Sequence, residues 1–287
     1  MNKHPHHNLW LHDDRELETI LGCPITERIT VHEWPISCVQ QLRLADGRRI
    51  IYKSQYGASV EPEFYRKARS PLMVPARTIW ESEGHSCMFI DFVDAPQLQD
   101  LELREEEAAH IGEDLVARIA EIEGDPPCYI DISDTAKWLQ LVESTLSDLQ
   151  NLVDEGKFQQ VTSEAVRALG RCARNSSILD AIAMDSGLIH GDLGGDNVFR
   201  CGDGFKVIDW QRPIRGPREF NLFNVIGDCG FDPLKYVHRG IAGVSAFLGV
   251  RWFTECKKLW IPDGRSYDGY IAQTAQSMER SFTTHTG

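Results

Sequence analysis

The chain lacks any closely spaced cysteine pair. Eight cysteines occur among 287 residues, yet the nearest two, Cys23 and Cys38, stand 15 positions apart. That spacing excludes C-x-x-C zinc and redox motifs, and the thiols read as scattered, reduced and mostly structural, as expected in the cytoplasm. Long apolar runs are also missing. No stretch approaches the 18 or so residues of a membrane span, and the longest candidate, Gly240 to Phe253, is broken by Arg251 and reads as a buried helix. The start, Met1-Asn2-Lys3-His4-Pro5-His6-His7, has no apolar core of a signal peptide. At His4, His6 and His7 a frayed, solvated end is expected in preference to a metal site. Positive charge is in deficit: 30 Lys and Arg face 43 Asp and Glu, a net charge of −13. A polyanion would be repelled, which argues against a nucleic-acid binder, while a cationic small molecule or a metal-neutralised anion is compatible. No fixed-period repeat and no low-complexity linker is present.

What remains is an ordinary globular composition, 42% hydrophobic and 25% charged. The length suits one large domain or two lobes sharing a cleft. Strand signals fill the first third. Val39 to Leu44 alternates, Asp46-Gly47 is a hairpin turn, and Arg48 to Gln55 returns with Ile51 and Lys53 on one face. Pro62 opens a short helix that ends by Pro71. Arg77 to Glu81 and Ser86 to Asp91 form a second strand pair, and the polar exit through Asp94-Ala95-Pro96 marks a boundary. From Leu101 onward the pattern turns helical: 105–123, 135–152, 161–173, 233–260 and 267–282 carry apolar residues at three- and four-residue spacing. The expected layout is a β-rich lobe over residues 1–93 followed by a larger α-rich lobe over 94–287.

Two islands interrupt the helical half. One is Leu188-Ile189-His190-Gly191-Asp192-Leu193-Gly194-Gly195-Asp196-Asn197 and the other Val207-Ile208-Asp209-Trp210. Asp192 and Asn197 have the D-x-x-x-x-N spacing of a phosphotransfer loop, and Asp209 follows Asp192 by 17 positions at the end of an apolar strand. A transferring phosphoryl group needs hard cations, and Mg²⁺ takes oxygen ligands such as those of Asn197 and Asp209. Asp192 can accept the proton of an attacking hydroxyl. Lys53 can pair the phosphates of a nucleotide, held in place by Glu63.

These islands resemble the aminoglycoside phosphotransferase and choline kinase-like family, relatives of the protein kinases. The resemblance rests on Ile189 to Asn197 and Val207 to Trp210, with weaker agreement at Lys53, at Glu63-Phe64-Tyr65-Arg66 and at Met88 to Val93. It implies an α+β, bilobal protein-kinase-like fold. It also implies ATP and Mg²⁺ as cofactors, Asp192 as catalytic base and His190 as a brace of its loop. Asn197 and Asp209 would hold the metal, Lys53 would bind phosphate with Glu63 positioning it, and the segment through Asp91 and Val93 would hold the adenine. The sequence departs from the family at three places, one being Gly194-Gly195-Asp196, which makes the catalytic loop permissive and adds an acid beside Asn197. No Gly-rich loop lies between Ile29 and Val39, leaving Ser37 as a phosphate contact, and Asn221 stands where an aspartate is common. The implied activity is transfer of the γ-phosphate to a hydroxyl of a small acceptor. Twelve acids against two arginines between Asp91 and Asp125 favour an amine-bearing acceptor: aminoglycoside-like, choline-like or an amino sugar. The alternative is a catalytically weak nucleotide-binding module. A protein kinase is disfavoured because Gly216-Pro217 begins seven positions after Asp209, leaving no room for an activation segment.

Overall fold

The computed structural model describes residues 1–57, 59–264 and 266–282, which divide into two compact units. The first contains Met1–Glu102, Glu121–Tyr129 and Asp192–Pro213. Its centre is a five-stranded antiparallel sheet in the order β3-β4-β5-β7-β6, built from β3 (Ile25–Trp34), β4 (Ser37–Leu44), β5 (Arg49–Tyr56), β6 (Ala76–Ser82) and β7 (His85–Asp91). Period-two burial explains why these segments pair. Leu42, Leu44, Ile50, Tyr52, Cys87 and Phe89 pack on one face against Leu17 of α1 (Asp14–Leu21). Helix α1 starts on an Asp13–Glu16 capping box and stops at Gly22, whose φ of 67° closes the helix in the left-handed region.

The N-terminus is not the frayed end expected from its composition. β1 (Asn2–Lys3) pairs with β2 (Trp10–Leu11), and the His4 N–H donates to the Leu9 carbonyl at 2.8 Å. His4 itself is buried. The place of a glycine-rich loop is taken by a tight hairpin, with only Pro35 and Ile36 between β3 and β4.

The boundary expected after Val93 is not a single cut. The chain leaves the first unit at residue 102, revisits it over 121–129, and returns again for 192–213. Backbone bonding explains the last visit. β10 (Val198–Cys201) and β11 (Gly204–Val207) form a hairpin that docks on the segment after α2 (Glu61–Lys67). The Val207 N–H donates to the Leu72 carbonyl at 2.9 Å, and Lys206 Nζ donates to the carbonyls of Pro71 and Met73 at 2.8 and 3.0 Å.

The second unit contains Leu103–Ala120, Ile130–Gly191 and Ile214–Gly287, of which residues 283–287 lie outside the described residues. Its helices are α3 (Glu105–Ala120), α4 (Thr135–Asp154), α5 (Ser163–Cys172), α6 (Ser176–Ile182), α7 (Glu219–Asp228), α8 (Gly240–Glu255) and α9 (Ser266–Phe282). A small sheet of β8 (Ile130–Asp131), β12 (Ile214–Pro217) and β9 (Ser186–Ile189) completes it. The helices share a core that includes Trp138, Val142, Leu169, Ile178, Ile241 and Phe247. Trp138 satisfies its indole N–H on the Ala173 carbonyl at 2.9 Å, as a fully buried Trp requires. Among the described residues, no helix is long and apolar enough to cross a membrane.

Helices α6 and α8 cross where Gly240 opens α8. A methyl group there would lie 2.0 Å from the Ser177 carbonyl oxygen and 2.8 Å from the Ala181 Cβ. Because the nearest obstacle is backbone, the crossing must open to admit it. Gly240→Ala is therefore expected to lose about 1–3 kcal/mol, the usual range for overpacking, although alanine is the better helix former. Urea unfolding measures it; an unchanged midpoint would refute the close approach.

Candidate active site

Lys53 is the centre of the site. It lies on β5 between Val39 of β4 and Met88 of β7, and only 4% of its surface is exposed. Its Nζ is 2.7 Å from Glu61 Oε2 and 2.5 Å from Asp209 Oδ1. Burial alone would lower the ammonium pKa, but the charges and hydrogen bonds of Asp209 and Glu61 outweigh it and hold Lys53 above its ordinary value. Burial pushes Glu61 up, against the opposing pull of Lys53.

The glutamate is Glu61, not Glu63. Residues two apart on a helix point about 200° apart, so the two acids cannot face the same partner. Glu61 is fully buried and shares its side of α2 with buried Phe64, whereas Glu63 is half-exposed and pairs with Lys67 one turn on, at 2.6 Å. The sequence held this signal: Glu61, Phe64 and Ala68 fall at i, i+3 and i+7, while Glu63 and Lys67 form an i,i+4 surface pair.

Asp209 is presented by a strained turn. Its φ is +67°, uncommon for a residue with a side chain but tolerated best by Asp and Asn. The turn is held on several sides. The Gln211 N–H donates to the Asp209 carbonyl at 2.8 Å, and the Val60 N–H donates to the Gln211 carbonyl at 3.0 Å. Trp210 stacks on Phe64 of α2, with centroids 4.5 Å apart and planes 9° apart, and its indole N–H donates to the Val207 carbonyl at 3.2 Å. These contacts fasten the aspartate turn to the helix that carries Glu61. Tyr65 follows Phe64 on that helix, and burial raises its phenol well above the ordinary range.

Asn197 precedes β10, and its carbonyl accepts from the Ile208 N–H at 3.0 Å, which sets it beside the residue before Asp209. Its side-chain Nδ2 donates to the Asp192 carbonyl at 3.0 Å. That bond turns the amide oxygen the other way. Asn197 and Asp209 thus offer oxygen donors at the same end of the β10–β11 hairpin, and Asp192 is tied to Asn197 through its backbone while its side chain is exposed. An oxygen-only donor set fits Mg²⁺. Asp196, beside Asn197, is exposed, and its carbonyl accepts from Gln97 Nε2 at 2.7 Å.

The other expected residues lie at some distance along the sheet. Ser37 is buried opposite Gln55, two residues beyond Lys53, about 7 Å along the strand. Asp91 pairs with Ile50, three residues the other way, about 10 Å along. Val93 follows β7, and the neighbouring Asp94 pairs with Arg49 at 2.5 Å. Of the acids between Asp91 and Asp125, Glu105, Glu107 and Asp114 also have basic partners: Lys235, Arg104 and Arg118.

In the second unit His190 is buried at the end of β9. Its backbone N–H donates to Asn221 Oδ1 at 3.0 Å, and Asn221 Nδ2 donates to the Leu188 carbonyl at 3.3 Å. Asn221 is fully buried on α7. An amide has both a donor and an acceptor for these two strand groups, whereas a carboxylate has only acceptors. After the Asp209 turn the chain passes directly into β12, which pairs with β8 and β9.

Comparison with known proteins gives the family and the fold. A family model described as the phosphotransferase enzyme family matches residues 61–238. No curated protein matches the sequence significantly. Among solved structures, a choline/ethanolamine kinase family protein from Mesorhizobium loti is 10% identical over 90% of each chain, with a TM-score of 0.61. The APH(2")-IIa of a streptomycin–ATP ternary complex is 13% identical over 95% of this chain and 99% of that one, with a TM-score of 0.58. Macrolide 2'-phosphotransferase MphH from Brachybacterium faecium is 13% identical over 91% of this chain and 96% of that one, also with a TM-score of 0.58. The likeness establishes the α+β, protein-kinase-like fold that the motifs implied.

Two substitutions test the geometry without any assay of activity. Lys53→Met leaves Glu61 buried without its cation and should destabilise by about 3–5 kcal/mol at neutral pH, against less than about 0.5 kcal/mol for Glu63→Gln on the surface. Because the Glu61 pKa is raised in the fold, the penalty in Lys53→Met is full where the carboxyl is ionised. It is relieved as pH falls towards the ordinary value of 4.5. Urea unfolding at pH 8 and pH 5 should show the variant's deficit shrinking at the lower pH; a deficit that grows would be incompatible with this account. Asn221→Asp buries a carboxylate and orphans the Leu188 carbonyl, a loss of about 1–3 kcal/mol readable in the same experiment.

Proposed function

The chain belongs to the phosphotransferase enzyme family, and from that premise we propose that it transfers the γ-phosphate of ATP, with Mg²⁺, to a hydroxyl of a small amine-bearing molecule. The observation that carries this reading is the buried Lys53 held between Glu61 and Asp209, with Asn197 at the same end of the hairpin that presents Asp209. Lys53 binds the nucleotide phosphates, and Glu61 keeps its ammonium charged and aimed. Asn197 and Asp209 supply the protein oxygens for Mg²⁺, which when bound neutralises phosphate charge. Asp192 accepts and orients the acceptor hydroxyl. His190 braces the strand end that leads into Asp192, the backbone of the Asp91–Val93 segment meets adenine, and Ser37 contacts phosphate.

Support for the nucleotide comes from the complexes of fold relatives: streptomycin with ATP in one, and ADP with spectinomycin in another, whose chain is 14% identical with a TM-score of 0.52. Aminoglycoside and choline or ethanolamine acceptors in these relatives favour an amine-bearing molecule, as does the acidic stretch after β7. Four of its acids already hold basic partners, so any attraction falls to the remainder. A cytoplasmic setting suits eight cysteines that are all free of disulfides.

ADP release from Mg²⁺-ATP across aminoglycosides, macrolides, choline, ethanolamine and amino sugars identifies the acceptor. With that acceptor, Asp192→Asn should lower kcat by about 10²-fold or more while ATP affinity changes by less than about 1 kcal/mol. Glu61→Gln should impair turnover, and Glu63→Gln should leave it intact. Mg²⁺-ATP raising the Tm while no acceptor releases ADP would point instead to a binding module, and near-normal kcat in Asp192→Asn would remove that residue from the mechanism.

A further inference from the structure

His4, His7 and Glu33 form a cluster that shares no residue with the phosphotransfer set, with Glu33 opposite Cys38 on the β3–β4 hairpin. We propose that these three side chains bind a divalent transition-metal ion of the zinc type, clasping the N-terminal segment to the β3–β4 hairpin. Nε2 of His4 lies 3.6 Å from Glu33 Oε2, and Nε2 of His7 lies 3.4 Å from Glu33 Oε1. Both distances are too long for good hydrogen bonds, whose usual range ends near 3.2 Å. They match another length. In a tetrahedral zinc site with bonds of about 2.0–2.2 Å, neighbouring ligand atoms stand about 3.3–3.5 Å apart. All three donor atoms already lie within 4.8 Å of one another. The His4 and His7 rings are stacked with centroids 5.0 Å apart, so both present the same edge to the carboxylate.

The framework is fixed by backbone. Residues 4–9 form a loop closed by the His4 N–H to Leu9 carbonyl bond and by β1–β2 pairing, and Glu33 lies on β3 one residue before the end of that strand. His4 is nearly enclosed, with 5% of its side chain exposed, whereas His7 and Glu33 are open enough to admit an ion and a water as fourth ligand. Imidazole donors select zinc-like ions over Mg²⁺, so this site is chemically distinct from the oxygen pair at Asn197 and Asp209. His6 is not one of the mutually close donors, its ring lying edge-on to those of His4 and His7 at 6.1 and 6.4 Å, but its backbone N–H donates to His4 Nδ1 at 3.2 Å. That bond places the proton of neutral His4 on Nε2. Metal binding at Nε2 must therefore move the His4 proton to Nδ1 and release the His6 N–H.

The test uses the reduced full chain with ZnCl₂, followed by calorimetry and Tm, and CoCl₂ for the visible spectrum. The expected result is 1:1 uptake, a raised Tm, a tetrahedral Co²⁺ spectrum, and an NMR-detected shift of the His4 tautomer. Mg²⁺ should produce none of these. Glu33→Gln, which keeps shape, and His4→Ala should each weaken Zn²⁺ binding by at least the roughly 10–100-fold that even a lost outer-shell partner costs, and His6→Ala should leave affinity unchanged. Absence of stoichiometric Zn²⁺ binding overturns the proposal. So does a loss in His6→Ala equal to that in His4→Ala, which would mark a loose histidine-rich tail.

Discussion

The fold around the phosphotransfer motifs depends on one buried ion group, the Lys53 ammonium between the Glu61 and Asp209 carboxylates. Taking such ions out of water costs several kcal/mol for each, and mutual attraction offsets this only when the geometry is tight. Tight geometry here requires a strand, a helix and a turn to hold their positions together. The Phe64–Trp210 stack and the Val60 to Gln211 hydrogen bond do that, so an apolar contact maintains an ionic one. With Lys53 and both carboxylates ionised, the group carries a net negative charge, an electrostatic setting that favours a cation beside Asp209.

A parallel economy operates in the second unit. The end of β9 leads into Asp192 two residues after His190, and the position of that strand end is set by Asn221. One fully buried amide answers a donor and an acceptor on neighbouring peptides. Where an aspartate is common in the resembling family, the uncharged amide of Asn221 matches a strand that offers it one group of each kind.

Much of this was legible in the sequence because chemistry-bearing residues sit at short, fixed spacing. Asp192 and Asn197 are bonded within one loop, and Asp209 follows a hairpin whose Gly202 and Gly204 announce the turn. Lys53 was legible as a charge on an alternating strand. Glu61 is legible only through helical phase, set by Phe64, because the Glu-Phe-Tyr-Arg string that resembles the family begins at Glu63. Unit membership is less legible for a related reason. A single cut follows composition, whereas unit membership follows long-range bonds such as that of Val207 to Leu72. The folded N-terminus was invisible because its pairing joins two-residue strands too short to show a period.

Asp209 shows how these levels meet. A left-handed residue with a side chain costs of order 1 kcal/mol or more, and such strain persists only where surroundings over-determine it. Here the surroundings are Trp210 packed on α2 and a backbone bond across the turn. The turn brings the carboxylate to Lys53 when no ligand is present. In the proposed nucleotide complex the same carboxylate faces a metal, and Lys53 faces phosphate, so part of their mutual attraction is exchanged for contacts with the ligand. Glu61 does not take part in that exchange. Its place on α2, fully buried and 2.7 Å from Lys53, keeps the ammonium charged while its other partner changes. In that proposed complex two carboxylates on one lysine would not be redundant: one would serve the ligand, and the other would preserve the lysine for it.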